Sequence, residues 1–374
     1  MSKAKRVTGG TVRYGVVGVG AIAQGAFLPG VRNTKNSQVT ALVTGDPDKG
    51  AAMQEIYGDL AVYGYDGFDR LFSDDVVDAV YVATPNHLHL EHALPALKAG
   101  VHVLLEKPMA VSEDQCKTLI AAADESGAKL MIAYRLHFEP ATIAAIEQVR
   151  DGDIGEPRGF ASMFSMPLDP ENHRAKHGFV DGPVYDLGVY PINGVRQFFG
   201  VEPIEVAAFG ARNADWGLDL IDTVSVTLRF PNDGLASFVV SYAMDAHEHY
   251  SIVGTKGSIA FRPAFTYGHG LEYDVTTGGE TEHKSFMTTD QFGGETEYFS
   301  RCVLEDVDPE PDGEEGWCDV RIVEAVRRAL ETGRPQKLEP HTRKHRIESS
   351  QAMGFPPSSE VPMVHASSPK QDED

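Results

Sequence analysis

Val12-Arg13-Tyr14-Gly15-Val16-Val17-Gly18-Val19-Gly20-Ala21-Ile22-Ala23 decides the fold. Its first six residues read as a strand, and the next six form a G-x-G-x-x-A turn that opens a helix. Gly18 permits the tight turn and Gly20 lets a pyrophosphate approach the backbone. The small Ala23 lets the helix lie close to the sheet. The helix start, with Ala21 and Ile22, offers free N–H groups to phosphates. Taken alone the motif is weak. Between a strand and a helix it points to dinucleotide binding rather than to a plain glycine-rich turn.

Downstream the pattern repeats. A strand is expected over Val39–Thr44, a short one over Leu60–Tyr63, a buried one over Asp78–Thr84, another from Val101, and one over Lys129–Tyr134. Helices fall between them, one running from Ser112, read as a capping box with Gln115, to Ser126. Repeated β-α units mean a parallel sheet with helices on both faces. Ligands of such sheets sit beyond the carboxyl ends of the strands. By that rule Thr44 and Gly45, then Thr84, Pro85, Asn86 and His87, then Glu106 and Lys107, and finally Arg135 and His137 face one crevice. His89 and His92 read as ordinary helix residues, because no carboxylate or cysteine joins them at ligand spacing. No metal site is expected.

The second strand's end bears on the cofactor. An Asp or Glu there would bind the ribose 2′-hydroxyl of NAD. Here Thr44, Gly45 and the later Lys49 suit a 2′-phosphate better. Asp46 dissents unless it caps a helix starting at Pro47. NADP is therefore favoured over NAD.

Val101-His102-Val103-Leu104-Leu105-Glu106-Lys107-Pro108 carries the first hint of chemistry. An apolar strand ends in a carboxylate, an ammonium and a proline that cannot continue the sheet. This is either a strand-end ion pair or a lysine aimed at a ligand.

Beyond about Arg150-Asp151-Gly152 the rhythm changes. Val224–Phe230, Ala236–Tyr242 and Ser258–Phe261 alternate with period two, separated by turns of the Pro-Asn-Asp-Gly type. The expected fold is an α/β Rossmann dinucleotide-binding domain over 12–135, followed by an α+β domain over 136–340 with a large, mostly antiparallel open sheet. Helices near Gly293–Val303 and Asp319–Thr332 are expected to return to cover the structure, the C-terminal helix toward the Rossmann domain. Residues 1–11 read as a loose arm, and 349–374 as a disordered tail rich in Pro, Ser and charge. One helix interrupts the second domain early, Tyr185–Asn193. Its Asp186, Tyr190 and Asn193 are spaced i, i+4, i+7 and share a face. That is a poor core stripe and a good wall for a polyhydroxylated ligand, although Asp186 also suits an N-cap and Tyr190 a half-buried core position.

The 374 residues carry 33 basic and 55 acidic side chains, a net charge of −22, which argues against nucleic acid and anionic membranes as partners. No apolar run reaches the roughly 18 residues a membrane span needs. No signal peptide precedes the first strand, and three scattered cysteines suit a reducing compartment, so a cytoplasmic location is expected.

Gly18–Ala23, Glu106-Lys107-Pro108 and Asp186-x-x-x-Tyr190, in that order and spacing, resemble the Gfo/Idh/MocA family of sugar oxidoreductases. Most of that family carries histidine where this chain has Tyr190; the glucose–fructose oxidoreductase and aldose dehydrogenase branch carries tyrosine. Met131-Ile132-Ala133-Tyr134-Arg135-x-His137 and Glu314-Glu315-Gly316 followed by Asp319 also resemble that branch. The resemblance implies that Thr44, Lys49 and Tyr65 hold the adenosine end of NADP. It implies hydride transfer from C1 of a cyclic aldose to give a lactone. Lys107 and Tyr190 are then expected to meet, one from each domain, since an ammonium beside a phenol favours the phenolate that removes the C1 hydroxyl proton. Asp186 would orient the sugar, and Arg135, Asn86, His87 and Asn193 would line its pocket. The resemblance further implies a homodimer or homotetramer formed through the second domain's sheet. Two other readings stay open: an NAD(P)-sensing regulatory protein without chemistry, and an enzyme that oxidises one sugar and reduces another without releasing cofactor.

Overall fold

The computed structural model describes residues 3–7, 9–343, 345–359 and 361–366. Their contacts divide the chain into two units. The first takes the residues up to Phe138, Asp290–Trp317 and the described residues from Met353 onward; the second takes Glu139–Thr289 and Cys318–Ala352.

In the first unit the described strands are β1 (Val12–Val17), β2 (Ser37–Val43), β3 (Ala61–Tyr63), β4 (Ala79–Val82), β5 (His102–Glu106) and β6 (Leu130–Ala133). They pair in the order β3-β2-β1-β4-β5-β6, all parallel. The order reverses beside β1, and crevices for dinucleotides form at such a reversal. β4 is buried throughout, as a strand covered on both faces must be. Between sheet and helix, Phe27 stacks on Tyr81 with ring centroids 3.7 Å apart. Burying each such side chain is worth about 1.5–3 kcal/mol. The helix after the glycine turn contains a π-turn at Ala23–Phe27 before its α-turn Leu28–Val31.

The second unit's sheet comprises β7 (Pro157–Ser165), β8 (Glu205–Ala211), β9 (Thr223–Arg229), β10 (Leu235–Ser241), β11 (His247–Gly254), β12 (Gly257–Phe261), β13 (Glu272–Thr277), β14 (Glu280–Ser285) and β15 (Gln336–Lys337), ordered β14-β13-β12-β11-β7-β10-β9-β8-β15. Only β7 with β10 is a parallel pair; every other described neighbour runs antiparallel. Val224, Val226 and Leu228 of β9 point into the core, and Thr227 and Arg229 point out. Behind the sheet Arg196 is fully buried. It donates to Glu202 at 2.6 and 3.1 Å and to Asp319 at 2.5 Å, and Arg346 adds a second cation on Glu202.

Several expectations need correction. The stretch Asp290–Trp317, assigned above to the second domain, belongs to the first unit. Its helix Gln291–Glu305 bonds that sheet through Ser300, whose hydroxyl lies 2.7 Å from those of Tyr14 and Ser37. The arm is not loose over residues 3–7: Ala4 and Lys5 donate backbone bonds to Ser126 and Gly100, and Lys5 pairs with Asp75. The tail is not disordered over 349–359 and 361–366, where it makes hydrogen bonds back to the first unit; residues 367–374 lie outside the described residues. Gln115 caps Val111 rather than completing a box on Ser112. The three cysteines are buried and form no disulfide. No described helix is long and apolar enough to cross a membrane.

Candidate active site

The first unit gathers its candidate residues because every parallel strand ends on the same sheet edge. Gly18 adopts φ +92°, and a Cβ there would lie 2.7 Å from the carbonyl oxygen of Ala83. The β1 and β4 loops touch, and only glycine fits between them. A Cβ on Gly20 would meet nothing within 4 Å. Open space thus faces the backbone where a pyrophosphate needs close approach. Lys49 reaches back to this turn, its Nζ donating to the Val19 carbonyl at 3.2 Å. Ala21 and Ile22 form the first helical residues behind it.

At the next strand end, Thr44 is buried and its hydroxyl accepts the Asp46 N–H at 3.2 Å. Asp46 caps the helix Pro47–Tyr57 by accepting the Lys49 N–H, as expected; that bond and a second from His365 hold its carboxyl below the usual range. Tyr65 is partly exposed. Its ring lies against the face of Gly45 and tilts against His92, centroids 5.2 Å apart. Glycine, hydroxyl, ammonium and aromatic ring are the donor set an adenosine 2′-phosphate needs, and with the open space at Gly20 they fit a dinucleotide.

The β4 and β5 ends are stitched together by a residue the sequence did not mark. His89 is fully buried, with Nδ1 2.8 Å from the Pro108 carbonyl and Nε2 2.9 Å from the Thr84 carbonyl. It thereby fixes the Thr84-Pro85-Asn86-His87 loop relative to Lys107-Pro108. Burial pulls its pKa down to about 4, against the two carbonyls, which favour the imidazolium. His92, also buried, lies 3.3 Å from the Thr84 hydroxyl. Neither is an ordinary helix residue, as had been expected. Nothing in their spacing shows that the helix starts beneath two loops.

Glu106 keeps part of its surface open, yet its surroundings are those of a buried group. Desolvation raises its pKa, opposed by Lys107 and by the Tyr81 hydroxyl that donates to it at 2.5 Å. It also accepts the Lys107 N–H at 3.3 Å. Arg135 is buried and donates to Gln291. Glu295, on the same helix as Gln291, is buried with both carboxyl oxygens lacking a hydrogen-bond partner among the described residues. Burial, and then Glu106, push its pKa well up, and no local pattern in the sequence marks it.

In the second unit, Asp186 lies in a π-turn, Val184–Gly188, that precedes the helix Val189–Phe199. Its Oδ2 accepts the Tyr242 hydroxyl at 3.0 Å and pairs with the Arg174 Nε at 3.1 Å. Tyr242, fully buried, also reaches the Asp181 carbonyl at 3.2 Å. Its pKa is driven well up by burial and then by Asp186, so it remains a donor. Arg174 and Tyr242 were missed because they lie 12 and 56 residues from Asp186. Tyr190 packs its half-buried ring against Phe164, edge-on at 5.6 Å, and Phe265 at 5.7 Å. Asn193 departs from the ligand wall expected of it. It is buried and donates to Asp319 at 3.1 Å, the same carboxylate that holds Arg196. The π-turn widens the helical turn that holds Asp186, so Asp186 is offset from the i, i+4 alignment with Tyr190 assumed from the sequence.

Two family models match the chain: the oxidoreductase family with an NAD-binding Rossmann fold over residues 12–134, and the GFO/IDH/MocA C-terminal domain over residues 142–260. The NADP(+)-dependent D-xylose 1-dehydrogenase of Haloarcula marismortui is 31% identical over 89% of this chain and 94% of its own. The crystal structure of the aldose–aldose oxidoreductase of Caulobacter crescentus, complexed with glycerol, superposes with a TM-score of 0.83 at 33% identity, covering 88% of this chain and all of that one. A 3-ketoreductase of Actinomadura kijaniata, solved with NADP and TDP-benzene, gives 0.78 at 28% identity over 86% and 98%. Domain models, relatives and fold agree that this chain belongs to the Gfo/Idh/MocA oxidoreductase family.

Proposed function

We propose that this chain is an NADP-dependent sugar oxidoreductase that oxidises C1 of a cyclic aldose to a lactone. The observation that carries the proposal is the second-unit cluster. Asp186, held by Arg174 and Tyr242, stands four residues before Tyr190, in a chain whose other unit carries Lys107 immediately after β5. A module that only senses nucleotide has no use for this set. NADP binding and sugar chemistry are supported by the relatives named above. Glucose–fructose or aldose–aldose exchange with retained cofactor is the finer alternative, favoured by the kinship with the Caulobacter enzyme.

Gly18, Gly20, Ala21 and Ile22 would hold the pyrophosphate, and Thr44, Gly45, Lys49 and Tyr65 the adenosine end. Thr84, Pro85, Asn86, His87, Glu106 and Lys107 would line the nicotinamide end. The bound nicotinamide supplies the acceptor for the C1 hydride. The chain's own residues handle the proton. Tyr190, as the phenolate, would take it from the C1 hydroxyl and become a neutral phenol as the C1–O bond becomes a carbonyl, the Lys107 ammonium being the charge that favours the phenolate before the step. Asp186 accepts hydrogen bonds from sugar hydroxyls, with Arg174 and Tyr242 fixing its rotamer. His87 and Arg135 are assigned to the sugar pocket, Arg135 as a support behind it.

The outward face of the second sheet carries Phe209, Leu235 and Val253, which supports self-association as a dimer or tetramer. Three buried cysteines outside any disulfide suit a cytoplasmic setting.

The test is nicotinamide absorbance after mixing the protein with NADP and a panel of aldoses. Growth of the reduced cofactor with one or more sugars is expected. Tight NADP binding with no absorbance change for any sugar or sugar pair would instead assign the chain to the regulatory class.

A further inference from the structure

After Met353 the chain does not leave the first unit. It crosses it. The Met353 N–H bonds Phe138, and the Phe355 carbonyl accepts from the Asp290 N–H, each at 3.0 Å. Asn33 donates to the Pro356 carbonyl and to Ser358, both at 3.1 Å. The segment then reaches the glycine turn. Gln24, only 2% exposed, grips Val364 at both ends of its peptide unit: Oε1 accepts the Val364 N–H at 2.7 Å, and Nε2 donates to the Val364 carbonyl at 2.9 Å. The same Nε2 donates to Val19, the residue between the two turn glycines. One residue further on, the His365 Nδ1 lies 2.8 Å from the Asp46 carboxylate. Residues 361–366 thus bridge the loops after β1 and β2. In this fold those two loops hold the pyrophosphate and the adenosine ribose.

The position of Asp46 gives the bridge a chemical meaning. A carboxylate beside the adenosine ribose accepts from the 2′-hydroxyl of NAD and repels the 2′-phosphate of NADP. His365 occupies one oxygen of that carboxylate, and the Lys49 N–H occupies the other.

We propose that residues 361–366 form a cofactor strap: Gln24 anchors Val364 across the glycine turn, and His365 masks Asp46, so the C-terminal segment sets the preference for NADP and slows its release. The proposal rests on the cofactor reading above and adds a specificity residue to it. The strap is also a physical means for a two-sugar cycle to keep its dinucleotide between half-reactions.

The experiment uses dinucleotide-stripped full-length protein, titrated with NADP and with NAD by calorimetry, and followed by displacement kinetics. Compared with wild type, His365→Ala should weaken NADP about tenfold, the range of one charged hydrogen bond, and leave NAD unchanged or tighter. In an Asp46→Asn background, which keeps the helix cap, His365→Ala should cost much less. A chain ending at Ser359 should release NADP faster by a similar factor. An unchanged NADP-to-NAD ratio in His365→Ala, an undiminished effect in the Asp46→Asn background, or unaltered release from the shortened chain would overturn the strap. Wild-type protein that binds neither dinucleotide would remove the cofactor reading and the strap with it. Wild-type binding that survives intact in the variants removes the strap alone.

Discussion

His89 should make the first unit acid-sensitive in a calculable way. The perturbation is a drop from about pH 7 to about pH 5, applied to wild type and to His89→Gln. In the folded chain the ring's pKa is pulled down to about 4, chiefly by burial. In the unfolded chain it returns to about 6.5. The folded state therefore resists the proton that the unfolded state accepts. Above about pH 6.5 neither state is protonated and the residue is silent; below it, stability falls by about 1.4 kcal/mol per pH unit until the folded group titrates too. By about pH 5 the wild type should have lost about 2 kcal/mol through this residue alone, and by about pH 4 roughly 3 kcal/mol. Carboxylates elsewhere contribute equally to both proteins and cancel in the comparison. Hydrogen exchange of the β4 and β5 amides reads the free energy where the ring is bound. His89→Gln starts less stable, because it can satisfy at most one of the carbonyls of Thr84 and Pro108, but it should lose about 2 kcal/mol less on acidification. Equal losses would show that His89 does not titrate in this window. A wild type that gains on the variant as pH falls would mean that the two carbonyls, and not burial, set its protonation.

Gly18→Ala places a methyl 2.7 Å from the Ala83 carbonyl at a positive φ, so it should cost about 1–3 kcal/mol in thermal or urea unfolding and weaken dinucleotide binding sharply. Arg196→Ala removes the cation shared by buried Glu202 and Asp319 in the second unit and should cost about 3–5 kcal/mol, whereas Arg196→Met should recover part of that by filling the space. Arg174→Ala frees Asp186 to rotate; KM for the sugar should rise roughly tenfold with NADP affinity unchanged, and an unchanged KM would detach Arg174 from the site.

The dinucleotide unit was legible because its signals are local. The turn glycines, the apolar strands and the strand-end residues announce themselves within a few positions of one another. The second sheet was legible for the same reason, through the alternation in β9 and β10. What stayed hidden depends on contacts between distant residues. The Asp186–Arg174–Tyr242 cluster joins three segments, and the pairing of Gln24 with Val364 spans almost the whole chain. The π-turn at Val184–Gly188 leaves no trace in hydrophobic period, so Asp186 was aligned with Tyr190 on the wrong helical geometry, and Asn193 is held through Asp319 in the buried Arg196 network. The tail was misjudged on composition, since prolines and serines say nothing about the backbone bonds that hold it.

Tyr190 is the group proposed to move the C1 proton. Steady-state nicotinamide absorbance with a turned-over aldose, comparing wild type with Tyr190→Phe at matched NADP saturation, measures this directly. The expected result is a loss in kcat of about a hundredfold or more with NADP affinity intact. A variant that turns over at the wild-type rate would show that some other group carries the C1 proton.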